Sequence, residues 1–178
     1  MTEFIVLPGI GGSDDDHWQS HWERGNPAMR RFAPASWDAP DLGNWMAALE
    51  RAVAGTKTPP LLIAHSLSCL LAAHWQKKSA LAVKGALLVA VPDPSSPVFP
   101  AAARDFASVP SERLRFPCFI IASTNDPYGT LDYARTRAVQ WGGECHTVGA
   151  LGHISSTSNL GNWPEGLALL KSFQSACL

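Results

Sequence analysis

Three side chains that together can activate an oxygen nucleophile occur in the order Ser66, Asp126, His153, each just beyond an apolar run that reads as a strand. A serine hydroxyl is a poor nucleophile at neutral pH. It needs a base to take its proton, an acid to orient that base, and hydrogen-bond donors for the oxyanion formed on attack. The stretch PPLLIAHSLSCLLAAHW, residues 59–75, places Ser66 where a strand-like run gives way to helical periodicity. In the nucleophile elbow G-x-S-x-G the serine sits at such a turn, and small flanking residues let strand and helix pack closely beneath it. Here Ala64 and Ser68 stand in for both glycines. They keep the small size, but A-x-S-x-S is a far less specific pattern, and on its own it is equally an ordinary helix start, since serine is a favoured N-cap.

The rest of the chain shifts that balance. An elbow serine needs a second oxyanion donor from the loop after an earlier strand. VLPGIGGS supplies such a loop, in which Gly9, Gly11 and Gly12 let backbone N–H groups turn inward; the amides of Ile10 and Leu67 are the predicted donor pair. A phosphate cradle fits less well. Position 14 of the required G-x-G-x-x-G is aspartate, no G-K-[ST] follows, and the run Asp14 to Asp16 repels a phosphate. FIIASTNDPYG sets Asp126 in the loop beyond a strong apolar strand, and ALGHISS sets His153 beyond a short later one. A loop Asp before Pro is ordinarily a turn former, and a lone His is ordinarily structural. Their joint occurrence in the order Ser, Asp, His is what points to chemistry: His153 accepts the Ser66 proton, Asp126 fixes the imidazole tautomer, and water then hydrolyses an acyl-enzyme.

The remaining candidates are weaker. His17 and His21 share a helix face and could hold a metal with Asp14 or Asp16, but the glutamate of H-E-x-x-H is missing. DHWQ reads more simply as a helix start, with the aspartates 14–16 capping it and with His17 and Trp18 bordering the cleft beside Gly9 and Gly11 as substrate-binding residues. His65 belongs to that binding set as a supporting residue, because alternation along the strand end turns it away from Ser66. No metal and no cofactor is expected. Cys69, Cys118, Cys145 and Cys177 form no C-x-x-C pair and read as reduced core thiols.

The elements that must position these residues alternate. Apolar runs at 4–7, 60–64, 84–92, 117–123 and 144–149 read as strands, with a weak one at MRRFAP. Helices are predicted from near 17, over 41–54, 66–77, 129–141 and 163–176, and residues 98–107 carry a helical pattern as well. Strands too apolar to have a wet face imply a mostly parallel sheet with helices on both faces, an α/β fold whose ligands bind at the strand carboxyl ends. The segment 92–115 is the one insertion-like stretch, so any lid is small and the pocket is expected to be open and shallow. Most of the seven tryptophans are expected to wedge between helix and sheet.

With 178 residues, a single domain, 1–178, accounts for the whole chain. A net charge of −1, from 14 Lys+Arg against 15 Asp+Glu, leaves no basic excess for nucleic acid or an anionic membrane. The N-terminus lacks a basic n-region, and no apolar run approaches the roughly 20 residues of a membrane span. A cytoplasmic protein acting on a small acyl substrate is expected, with a protein partner left open.

Four segments, LPGIGGSDDDHWQSHWE, HSLSC, STNDPYG and GHISSTSNLGNWPEG, are spread in order across nearly the entire span of the chain, and DHWQ and WPEG are more specific than the elbow. Through them the chain resembles the small serine hydrolases of the RBBP9/YdeN family, a compact branch of the α/β-hydrolase fold. The resemblance implies a triad of Ser66, Asp126 and His153 and a reaction of the carboxylesterase type, with the natural substrate undetermined. Many members carry glycine where Ser68 stands, which implies a slightly more crowded elbow here. A competing expectation is a hydrolase scaffold that works as a protein-binding module, motivated by the non-glycine elbow and the tryptophan-rich composition. A metal-dependent hydrolase built on His17 and His21 is the third.

Overall fold

The computed structural model describes residues 2–177. Six strands alternate with five helices: β1 (Phe4–Leu7), α1 (Trp18–Gly25), β2 (Met29–Arg31), α2 (Leu42–Ala54), β3 (Leu61–His65), α3 (Leu67–Trp75), β4 (Gly85–Val89), β5 (Cys118–Ala122), α4 (Leu131–Trp141), β6 (Glu144–Thr147) and α5 (Pro164–Ala176). They form one sheet in the order β2-β1-β3-β4-β5-β6, with every pairing parallel. The stretch expected to be helical at 98–107 is a 3-10 turn, Ala101–Phe106.

The four inner strands are apolar in both alternating directions because each direction meets a helix layer. Ile5, Leu7, Leu62, Ala64, Ala86 and Leu88 pack with α2, α3 and α4, whereas Phe4, Val6, Leu61, Ile63, Leu87 and Val89 pack with α1 and α5. The expectation that no strand has a wet face fails at the edges: β6 alternates exposed with half-buried residues, and β2 exposes Arg30. An edge strand has only one neighbour, and here its outer side chains run past the helix cover. Trp18, Trp45, Trp75 and Trp141 lie fully buried in the core, where Trp75 Nε1 donates to Glu50 of α2 and Trp141 Nε1 to the Pro110 carbonyl. Cys69 and Cys118 are buried free thiols, but Cys145, on the β6 edge, and Cys177, at the end of α5, are only half-buried.

Strand order runs outward in opposite directions from the paired strands β1 and β3, so the connections leaving their carboxyl ends turn to opposite faces of the sheet and leave a crevice, the usual ligand position in such sheets. The loop after β1 and the turn after β3 both open there. No described helix is long and apolar enough to cross a membrane.

Candidate active site

Ser66 stands between β3 and α3 with φ 55° and ψ −124°, a backbone region that a residue with a side chain enters only under constraint. Its hydroxyl makes no capping bond to α3. The ordinary N-cap reading is therefore excluded. Instead Ser66 Oγ lies 2.7 Å from His153 Nε2. On the far side of the ring, His153 Nδ1 is 2.9 Å from each carboxylate oxygen of Asp126, whose side chain is 3% exposed. Three residues from the ends of β3, β5 and β6 thus form one hydrogen-bonded line.

The turn is possible because small groups lie under it. A methyl added at Gly9 would meet Ser66 Cβ at 3.0 Å and the His65 carbonyl at 3.2 Å, so this glycine permits close approach, and it is not among the residues that border the cavity. Ser68 does more than fill space: its Oγ donates to the Pro8 carbonyl at 2.6 Å, tying the first turn of α3 to the loop after β1. Ile10 and Leu67 both border the cavity over Ser66, and among the described residues neither of their amides donates to another group.

His153 is held by its backbone. It sits between Gly152 (φ 59°) and Ile154 (φ 49°), two residues in the left-handed region. His65 Nε2 contacts the His153 carbonyl at 2.9 Å, Trp18 Nε1 donates to the Ile154 carbonyl at 2.8 Å, and the Gly152 amide donates to Asn125 Oδ1 at 2.7 Å. Ser123 Oγ accepts from the Leu151 amide at 2.9 Å. The expectation for His65 thus takes specific form: it borders the cavity, and its ring anchors the imidazole-bearing loop. Burial holds its pKa well below the usual histidine value, so it stays neutral.

Trp18 corrects the sequence reading. It is 1% exposed, packed edge-on against Trp22 and Trp163, and its indole N–H is drawn inward by the Ile154 carbonyl, so it does not border the cleft. The aspartates do not cap α1 either. The cap is His17, whose Nδ1 accepts the Gln19 amide at 3.1 Å; Asp14 instead accepts the Ser156 hydroxyl at 2.6 Å across the cavity rim. With Nδ1 so engaged, His17 is not free to share a metal with His21 through that atom, and among the described residues no three His, Cys, Asp or Glu converge as a ligand set. His17 and Gly11 do border the cavity.

Three contributors escaped the sequence reading. Tyr128 walls the cavity with its ring centroid 4.5 Å from that of His153. Gln19, the last residue of DHWQ, is fully buried and donates from Nε2 to the carbonyls of Leu7 at 3.3 Å and Ile63 at 3.0 Å, bridging β1 and β3 at the crevice. Arg31 braces the loop after β1 from the sheet edge. The cavity measures about 440 Å³. Ile10, Pro92, Phe99, Pro100 and Ala102 make an apolar wall, and Ser13, Asp14, Ser155, Ser156 and Thr157 a polar one.

His17 gives the fold a pH dependence. Burial is the main cause that lowers its pKa from 6.5 to about 4; Arg31 and His153 act in the same direction and Asp14 against them. The unfolded chain binds this proton near pH 6.5 while the folded chain refuses it until about 4, so the contribution is complete above 6.5 and is lost as pH falls toward 4. The shift corresponds to a loss on the order of 3 kcal/mol across that window. His17→Asn keeps a capping acceptor without the titration. Urea unfolding from pH 7 to 4 should therefore show a shallower decline for the variant than for wild type, and equal declines would refute this account.

The sequence model described as Serine hydrolase matches residues 4–172. Among solved structures, the chain is similar to a protein described as a YdeN-like hydrolase from Pectobacterium atrosepticum, at 32% identity and a TM-score of 0.89, covering 100% of this chain and 93% of that one. The ydeN gene product of B. subtilis shares the fold at 19% identity and a TM-score of 0.81, over 98% of this chain and 100% of that one. An esterase domain from Rhodothermus marinus shares it at 15% identity and a TM-score of 0.67, over 94% and 86%. None of the curated proteins compared matches the chain.

Proposed function

The chain belongs to the serine hydrolase family, in its YdeN-type branch, and from that premise we propose that it cleaves a small carboxylic ester through Ser66, His153 and Asp126. The observation that carries this reading is the continuous line from Ser66 Oγ through the His153 ring to Asp126, at 2.7 and 2.9 Å, opening on the cavity. With Nδ1–H donating to Asp126, His153 Nε2 is a free base for the Ser66 proton. Oγ attacks the ester carbon, and the amides of Ile10 and Leu67 receive the oxyanion. His153 then returns the proton to the departing alkoxide, and water, activated by the same imidazole, releases the acid from the acyl-enzyme.

The cavity supports a substrate class. Its volume of about 440 Å³ falls within the roughly 300–1,000 Å³ of small-molecule sites. Among the described residues no Lys or Arg borders it, and Asp14, whose pKa is lowered by the Ser156 hydroxyl, keeps a carboxylate at its rim. Neutral esters suit it better than anionic ones, with the acyl chain against Phe99 and Pro100.

A fluorophosphonate probe should label wild type and leave Ser66→Ala unlabelled. p-Nitrophenyl esters from acetate to octanoate should show turnover that declines once the chain outgrows the apolar wall. Folded wild type that neither labels nor turns over any of these esters would reject the proposal.

A further inference from the structure

The loop after β1 is held in an unusual conformation. Gly11, Gly12 and Ser13 follow one another at φ 83°, 77° and 54°. Glycine adopts this region freely, but Ser13 remains there only if its surroundings over-determine it. They do so through the buried Gln19, whose Oε1 accepts the Ser13 hydroxyl at 2.7 Å, and through one guanidinium that grips the loop's carbonyls. Arg31 Nη1 donates to the carbonyl of Gly12 and, at 3.1 Å, to that of Ser13. Arg31 Nη2 donates to Ser20 Oγ at 2.8 Å, and that hydroxyl donates in turn to the Ser13 carbonyl at 2.9 Å. The fork itself is aimed by Glu23, whose carboxylate oxygens lie 3.1 and 3.0 Å from Arg31 Nε. A planar five-donor group can serve two carbonyls, a hydroxyl and a carboxylate at once, which an ammonium cannot.

This bracing bears on the one amide of the loop that matters to the proposed chemistry. The Gly11 amide donates to the Trp37 carbonyl and that of Gly12 to the Gly9 carbonyl, each at 3.1 Å, so the turn closes around Ile10, a residue that borders the cavity and whose amide has no acceptor among the described residues. Arg31 does not border the cavity and cannot touch a substrate there. We infer that Arg31, oriented by Glu23, is a positioning residue that keeps the loop of residues 10–13 in the conformation that presents the Ile10 amide as an oxyanion donor. The inference rests on the ester-hydrolysis reading. Oxyanion donors act through preorganisation, so a loop free to leave the left-handed region would forfeit stabilisation that is realised only in the transition state.

The test compares wild type, Arg31→Ala and Arg31→Lys on p-nitrophenyl butyrate, with thermal unfolding measured beside the kinetics and Ser66 labelling as the check on the underlying reaction. Both variants should lose at least tenfold in kcat with KM within about threefold of wild type, since the lost interaction is absent from the ground state. Guanidinium at tens of millimolar should restore part of the kcat of Arg31→Ala and leave wild type unchanged, whereas an equal concentration of ammonium should not. A variant that merely loosened the fold would show a lowered Tm with no such rescue, and that result overturns the inference, as does wild-type kcat in the folded Arg31→Lys protein. Unlabelled wild type would show as a failure of the hydrolase reading itself and remove both.

Discussion

Replacing Ser66 with glycine is expected to abolish ester turnover while giving a protein more stable than the Ser66→Ala variant. Both substitutions remove the hydroxyl that lies 2.7 Å from His153 Nε2, and loss of a triad nucleophile reduces kcat on the order of 10⁶-fold. The two differ in one methyl group. At φ 55° a residue bearing that methyl is held by its surroundings in a sparsely populated region at a cost of about 1–3 kcal/mol, whereas glycine enters it freely. Glycine gives back about 0.4–1 kcal/mol through the greater freedom of the unfolded chain. Ser66→Gly should therefore exceed Ser66→Ala by about 1–2 kcal/mol in chemical denaturation. Dead enzyme with a firmer fold would place the cause at the nucleophile and not in unfolding. Turnover above about 1% of wild type in either variant, or an alanine variant as stable as the glycine one, would contradict the account.

The strain at Ser66 was foreshadowed by its position between a strand and a helix, and the reason applies across the site. What the sequence made legible is what leaves a periodic or local mark: the apolar runs that end at Pro8, His65 and Ser123, the helical spacing from Leu42 to Val53, and the order in which Ser66, Asp126 and His153 follow their strands. What stayed hidden are side-chain bonds to distant backbone, whose partners have no required residue type. As part of the helix start DHWQ, Trp18 reads as a cleft residue, yet the Ile154 carbonyl, 136 residues away, holds its indole inside. Asp14 looked like a helix cap because it precedes α1, yet the Ser156 hydroxyl, 142 residues on, takes the carboxylate and leaves His17 to cap. His65 was set apart from Ser66 by strand alternation, but alternation does not say that it grips the loop bearing His153. The strong triplet Gly11, Gly12, Ser13 announced a turn, and only the fold brings Arg31 from the edge strand to brace it.

Asp126→Asn tests whether the carboxylate orients His153 or simply fills the loop. Asp126 Oδ1 also accepts the Tyr128 amide at 2.9 Å, while both of its oxygens reach His153 Nδ1 at 2.9 Å. In the asparagine variant the amide oxygen is the only group able to accept from Tyr128, so it keeps the Oδ1 position and the NH₂ takes the Oδ2 position, 2.9 Å from His153 Nδ1, where an N–H on both sides would clash. An NH₂ donating to Nδ1 moves the ring proton to Nε2, where it faces Ser66 as a donor and can no longer take the hydroxyl proton. A triad imidazole locked in the wrong tautomer loses about 10⁴-fold in kcat with its geometry intact. The expected outcome is a loss of that order with KM nearly unchanged, a Tm close to wild type, and an imidazole ¹⁵N spectrum in which the proton of His153 has moved from Nδ1 to Nε2. Activity within tenfold of wild type, or a proton that stays on Nδ1 in the inactive variant, would mean that Asp126 supports the loop and does not set the tautomer of the base.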